Sequence, residues 1–127
     1  MMSPNLLTFN ATAKFMEGAV AALYEVDTAS APRNLTITSP SAGQIDASWT
    51  APSDAGASAI SDYKIYYREW NSGQSWSTTN VGSNSLTKTD ISGSTTLPAG
   101  TYEVYVEPFT TGLGLGRASF KESINVS

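Results

Sequence analysis

Short segments of alternating apolar and polar residues, separated by Gly, Pro, Ser and Asn, run from Asn34 to the end of the chain. Alternation with period two is typical of strands that face a core on one side. The clearest case is Gln44–Thr50, in which Ile45, Ala47 and Trp49 share one face. The pattern predicts an all-β fold without helices. Its seven strands are expected at Asn34–Thr38, Gln44–Thr50, Asp62–Glu69, Ser75–Val81, Ser85–Ile91, Thr101–Phe109 and Ala118–Val126.

A proline and a glycine-rich stretch add detail to the predicted strands. Pro108 has no backbone N–H, so we expect it at a strand end or at a sheet edge, where a missing donor does little harm. The glycine-rich stretch Thr110–Gly116 predicts a flexible loop before the last strand.

The first thirty residues carry a separate pattern and are too short to bury a core of their own. Strict alternation over Leu7–Phe15 predicts an extended segment, which Glu17-Gly18 would turn into a hairpin. Alternatively, Asn10 would cap a helix with an apolar stripe. Residues 1–30 are therefore interpreted as a docking arm in front of a domain at 31–127. The residues expected to dock on a partner are Leu7, Phe9, Phe15, Val20, Leu23 and Tyr24.

Several landmarks after Ala31 resemble the fibronectin type III family. Trp49 and the tyrosine-rich strand at Asp62–Glu69 match its second and third strands, and Leu97–Val106 resembles its sixth strand. The resemblance implies a seven-stranded immunoglobulin-like β-sandwich, with Tyr102 at the position of the tyrosine corner. It also implies a protein that works by binding.

Composition argues against catalysis and against several classes of partner. The chain has no His and no Cys, which removes the commonest general base, the commonest metal ligand and any disulfide. We therefore predict no catalytic residue, no metal and no cofactor. The outward carboxylates Asp46, Glu103 and Glu107 are expected to be solvated surface charges. A net charge of −4 without a basic cluster makes nucleic acid an unlikely partner, and no apolar stretch is long enough to insert in a membrane.

Aromatic residues are more numerous on the predicted outer surface than a bare sandwich needs. Tyr66 and Tyr105, on neighbouring strands, are expected to form an outward pair. The set of candidate surface contacts, to a protein or to a host-surface glycan, is Tyr66, Trp70, Trp76 and Tyr105. Cross-strand packing is the alternative interpretation of the same residues.

Two functions fit a domain of this kind with an apolar arm. The first is a bacteriophage virion component, either a capsid decoration protein or a tail-associated subunit. It would be made in the host cytoplasm and would dock on the major capsid protein, on another virion subunit or on copies of itself. Met1–Phe9 lacks the positive charge that begins a signal peptide, which favours this function. The second is an extracellular adhesion or spacer module of a larger secreted protein or carbohydrate-active enzyme.

Overall fold

The computed structural model describes residues 28–127, which form eight β-strands and no helix. Two of the strands, β5 and β7, have only two residues each. The strands are β1 Arg33–Thr38, β2 Asp46–Thr50, β3 Asp62–Glu69, β4 Ser77–Asn80, β5 Thr87–Lys88, β6 Gly100–Thr110, β7 Gly114–Leu115 and β8 Glu122–Val126.

The strands form two antiparallel sheets that pack into a sandwich. The smaller sheet has the order β1-β2-β5. The larger sheet has the order β4-β3-β6, and both β7 and β8 pair with the far side of β6. Strand β6 is therefore the centre of the larger sheet, because it pairs with β3 along one side and with β7 and β8 along the other. The predicted β-sandwich is confirmed.

The core lies between the inward faces of the two sheets, and the alternation in the sequence accounts for most of it. Ile45 and Ile65 are completely buried, and Trp49 meets Tyr63 edge to face with ring centroids 5.2 Å apart. This geometry suits the charge distribution of two aromatic rings. Leu35, Ile37 and Tyr67 are partly buried and pack against this core. The fully packed members are Ile45, Ala47, Trp49, Tyr63, Ile65, Ile91, Leu97, Tyr102, Val104, Val106 and Val126.

The predicted strands differ from the observed ones mainly where the polar pattern is weak. The strand expected at Ser85–Ile91 shrinks to β5, and the one expected at Ala118–Val126 begins only at Glu122. The glycine-rich stretch is not wholly a loop, because Gly114 and Leu115 pair with the end of β6.

The expectation for Pro108 was wrong, since this residue is fully buried inside the central strand β6. Its carbonyl accepts a hydrogen bond from the amide of Gly116 at 2.8 Å, so its backbone polar groups point towards the segment between β7 and β8. That segment is not regularly paired. The missing proline donor therefore falls at a gap in the sheet, where no strand requires it.

The sandwich has two poles, with the two ends of the described chain at opposite poles. At the first pole, the carbonyl of Ala29 accepts a hydrogen bond from the amide of Arg117 at 3.1 Å, and the amide of Ser30 donates to the carbonyl of Asp54 at 2.8 Å. At the second pole, the carbonyl of Ser127 accepts a hydrogen bond from the amide of Gly43 at 3.0 Å. The chain thus enters the domain at one fixed point and reaches Ser127 at the other end.

Candidate functional site

The outward face of the larger sheet collects most of the polar and aromatic side chains that do not build the core. Alternation along β3 and β6 brings these side chains into cross-strand rows. In one row Tyr66 faces Tyr105, and in the rows beside it Lys64 faces Glu107 and Arg68 faces Glu103. The register places each basic residue of β3 opposite an acidic residue of β6.

The rings on this face form one connected group, which we call the aromatic cluster: Tyr66, Trp76 and Tyr105. The rings of Tyr66 and Tyr105 are stacked, with centroids 4.4 Å apart and planes 7° from parallel. Trp76 meets Tyr105 edge to face at 4.8 Å. The structure therefore brings together three of the four surface aromatics that the sequence suggested.

Cations lie near two of the three rings. The guanidinium carbon of Arg68 lies 4.2 Å from the centroid of Trp76, and Nζ of Lys121 lies 5.5 Å from the same centroid. Nζ of Lys64 lies 5.3 Å from the ring of Tyr66. Cation–π contacts at these distances are favourable. The rings of the aromatic cluster thus have partners within the domain, which favours cross-strand packing over a ligand platform.

The expectation for Glu103 was wrong. It was expected to be a solvated charge, but it is buried to 8 % exposure on the outward face. Its Oε2 accepts a hydrogen bond from Nε of Arg68 at 2.9 Å, and Nη1 of Arg68 donates to the carbonyl of Gln74 at 3.0 Å. The Arg68 side chain is therefore held by an ion pair and a backbone carbonyl beneath Trp76, and the neighbouring side chains shield Glu103 from water.

The environment of the aromatic cluster favours the neutral form of its phenols. Burial, followed by the nearby carboxylate of Glu107, raises the pKa of Tyr66 well above its usual range. Burial also raises the pKa of Tyr105, with a further increase from Glu107 and an opposing effect from Arg68. These hydroxyls stay protonated at neutral pH.

Trp70 does not join the cluster. It follows β3 with 58 % of its surface exposed, while its amide donates a hydrogen bond to the carbonyl of Thr101 at 2.8 Å. The fixed backbone and the exposed indole leave Trp70 as a separate surface side chain. The arm residues predicted to dock on a partner, Leu7, Phe9, Phe15, Val20, Leu23 and Tyr24, lie outside the described residues.

A second feature of the outward face went unrecognised in the sequence. A shallow cavity of about 190 Å³ lies where the sheet approaches the first pole. We call it the Phe109 cavity, and it is lined by Asp62, Lys64, Asn80, Phe109 and Leu115. These residues come from four strands or their ends, so only the register assembles them. The sequence contains only one indication of this cavity: the alternation along the strand assigns Phe109, the residue after Pro108, to the outward face.

The described residues hold no cluster of three or more acidic, His or Cys side chains that could bind a metal ion. Within residues 28–127, no helix could span a membrane. The outward face presents aromatic rings, an ion pair, polar side chains and the Phe109 cavity.

The sequence of residues 30–124 matches the model of the fibronectin type III domain. The chain belongs to the fibronectin type III family. The position of Tyr102 agrees with this membership, because its hydroxyl donates to the carbonyl of Pro98 at 2.8 Å across the corner before β6. As a fibronectin type III domain, the chain is of a kind that serves as a binding or spacer module.

Solved structures show the same fold at low sequence identity. The chain is similar to domains A168–A170 from titin, with a TM-score of 0.67 at 20% identity, over 79% of this chain and 32% of that one. It is similar to the chicken CNTN1 FN1–FN3 domains, with a TM-score of 0.65 at 18% identity, over 79% and 33%. For the FN5 domain of Drosophila Lar, the TM-score is 0.62 at 19% identity, over 78% and 97%.

The chain spans about a third of the titin and CNTN1 structures, and it spans nearly all of the single Lar domain. No curated protein matches it in sequence. The likeness to these structures concerns the fold.

Proposed function

We propose that this chain is a non-catalytic virion component of a bacteriophage, a capsid decoration protein or a tail-associated subunit. It docks through the N-terminal arm, taken as residues 1–28 because Ala29 and Ser30 are bonded to loops of the domain, and it displays one fibronectin type III domain. The observation that carries this proposal is the way in which the domain holds Ala29 and Ser30, the residues just before its first strand.

Ala29 is buried to 2 % exposure, and its carbonyl and the neighbouring Ser30 amide bond to two different loops. Gly116 lies so close that a Cβ at that position would be 2.5 Å from the carbonyl oxygen of Ala29. These bonds fix the point on the domain from which the arm starts. A display domain benefits from a fixed attachment point.

The apolar residues of the arm and the polar surface of the sandwich also support a docking role for the arm and a display role for the domain. Leu7, Phe9 and Phe15 alternate with polar residues, as expected of a segment that adds to the surface of a neighbour. The described domain already has a closed core. The arm would therefore supply the docking surface, whether on a capsid protein, on another virion subunit or on a further copy of the chain.

The proposal is tested by deletion of residues 1–28. We expect the truncated protein to keep the circular dichroism spectrum and cooperative unfolding of the full chain but to be absent from purified particles. The full chain should occupy repeated positions on the particle, visible by immunogold labelling and image averaging. A matched control, Phe120→Ala, changes an exposed aromatic on the domain and should leave incorporation intact. Incorporation of the truncated protein would contradict docking through the arm.

One observation favours a second candidate, an extracellular adhesion or spacer module of a larger secreted protein or carbohydrate-active enzyme. The chain enters at one pole and leaves at the other, beside Gly43, which is the geometry of a domain joined in line with others. Finding the gene fused to further domains behind a secretion signal, with no copy on any particle, would support this candidate and refute the virion role.

A further inference from the structure

We propose that the Phe109 cavity binds one neutral hexopyranose ring, as the terminal or exposed sugar of a glycan. The inference concerns the domain alone and does not depend on docking through the arm. It also moves the glycan contact away from the surface aromatics that the sequence suggested.

The aromatic cluster is unsuited to stacking on a sugar because its rings are engaged. Tyr66 and Tyr105 stack on each other, and Trp76 lies against Tyr105, Arg68 and Lys121. A sugar would have to displace these contacts. Phe109 differs, since it lies on the same face with 37 % of its surface exposed and lines an open cavity.

The cavity has an apolar side and a polar side. Phe109 of β6 pairs with Leu115 of β7, and together they form the apolar wall. Across from them, Asp62 and Lys64 of β3 and Asn80 of β4 present a carboxylate, an ammonium group and a carboxamide. A pyranose ring has the same division, because its axial C–H groups form an apolar face and its hydroxyls project from the edge. The electron-rich face of an aromatic ring attracts such C–H groups.

Among the polar groups, the carboxylate of Asp62 is held in position and keeps one oxygen without a hydrogen bond among the described residues. Oδ1 of Asp62 accepts hydrogen bonds from the amides of Tyr63 at 2.7 Å and Gly82 at 2.9 Å, which orient the carboxylate. Its second oxygen is then available to accept from a sugar hydroxyl. Among residues 28–127 the ammonium group of Lys64 forms no ion pair, and its Nζ lies 5.3 Å from the Tyr66 ring, so its N–H donors are not taken up by a carboxylate of this part of the chain. Preorganised groups of this kind lose little freedom when a ligand binds.

The volume of the Phe109 cavity and the charges of its lining residues limit the class of ligand that it can bind. Pockets for drug-sized molecules measure roughly 300 to 1,000 Å³, and the Phe109 cavity, at about 190 Å³, takes only a single small ring. The opposite charges of Asp62 and Lys64 cancel, which favours a neutral sugar over a uronic acid or an amino sugar with a free amine. Carboxylate, carboxamide and ammonium groups together supply both acceptors and donors for adjacent hydroxyls.

The test is a titration of the full ¹⁵N-labelled chain, followed by amide chemical shifts. The probes are methyl β-D-glucopyranoside, methyl β-D-galactopyranoside, D-glucuronic acid and cyclohexanol. We expect saturable shifts at the residues lining the cavity with at least one of the two neutral glycosides. A dissociation constant of about 1 to 10 mM is expected for a single ring in an open site. The acid and the cyclohexanol should bind at least about tenfold more weakly, which corresponds to about 1.4 kcal/mol.

Variants separate the two walls of the cavity. Phe109→Ala removes the stacking ring and Asn80→Ala removes a hydrogen-bonding group, and each should weaken binding of the preferred glycoside at least about fivefold. Phe120→Ala is the matched control, since Phe120 is 90 % exposed and does not line the cavity. Its affinity should be unchanged. Thermal unfolding of each variant verifies that the domain remains folded.

Three results would overturn the proposal. The first is the absence of saturable shifts with either neutral glycoside. The second is equal binding of cyclohexanol, which would reduce the cavity to an apolar patch. The third is tightest binding of glucuronic acid, which would contradict the charge argument. None of these results bears on the virion role, because incorporation into particles is measured separately on the arm deletion.

Discussion

Removal of one hydroxyl at Tyr102 tests the role of the corner before β6 in the stability of the domain. The ring is buried to 4 % exposure, and its hydroxyl donates to the carbonyl of Pro98 at 2.8 Å. Tyr102→Phe keeps the ring and its packing and deletes only this hydrogen bond. Such a bond contributes about 0.5 to 1.5 kcal/mol to the free energy of unfolding. Pro98 is exposed, so water can replace the lost donor, and we expect a loss of about 1 kcal/mol.

The loss is measured by urea and thermal unfolding followed by circular dichroism. For a domain of about 100 residues, a change of 1 kcal/mol lowers Tm by roughly 4 to 8 °C. Tyr105→Phe is a matched control in the same strand, because its hydroxyl belongs to the outward aromatic cluster and not to the corner. We expect this control to change the free energy by less than about 0.5 kcal/mol. Equal effects of the two substitutions would refute the idea that the corner hydrogen bond, and not the phenol itself, stabilises the domain.

Three further changes test other contacts. Glu103→Gln should lower the free energy of unfolding by about 1 to 2 kcal/mol, because it removes a charged, shielded partner of Arg68; an unchanged urea midpoint would contradict this. Gly116→Ala should destabilise the domain by about 1 to 3 kcal/mol and increase amide exchange at Arg117, since its Cβ would crowd the carbonyl of Ala29; unchanged exchange would show that the junction relaxes freely. Raising the pH should destabilise the domain above about pH 10, because burial raises the phenol pKa of Tyr63 and other tyrosines above the usual 10.0.

The sign of the pH effect follows from which form of the phenol the folded state prefers. A raised pKa means that the folded domain favours the neutral phenol, so this contribution is complete below the unfolded pKa and is lost as the pH rises through the folded value. Without His in the chain, stability should change little between about pH 6 and 8. Urea midpoints across the pH range, together with the absorbance of tyrosinate, check both statements. If every tyrosine of the folded protein titrated at the ordinary phenol pKa, the claim that burial raises these pKa values would be refuted.

The sequence predicted the sandwich because alternation marks the strands that line the core. Ile45, Ala47 and Trp49 share a face in the sequence and are all buried in the structure. The two-residue strands β5 and β7 lack this signal, since their polar or glycine-rich residues pair only because neighbouring strands hold them in place. Local pattern cannot reveal such pairing.

The surface was only partly predictable, because its properties depend on register. Tyr66 and Tyr105 were expected to pair and do so with a stacking distance of 4.4 Å. The burial of Glu103 could not be predicted from the alternation of the sequence. Alternation assigns Glu103 to the outward face but does not show which side chains cover it. The Phe109 cavity combines residues far apart in the chain, and no local motif connects them.

The positions of the two chain ends have a mechanical consequence. Strand β1 begins at the first pole and β8 ends at the second, so both strands run in the same direction along the sandwich. A force applied between Thr28 and Ser127 would pull along these strands and shear their hydrogen bonds together, instead of opening them one by one. Forced unfolding is governed by the rate of crossing the barrier rather than by the equilibrium free energy. A domain with this arrangement would resist tension between its two ends far better than tension applied across its sheets.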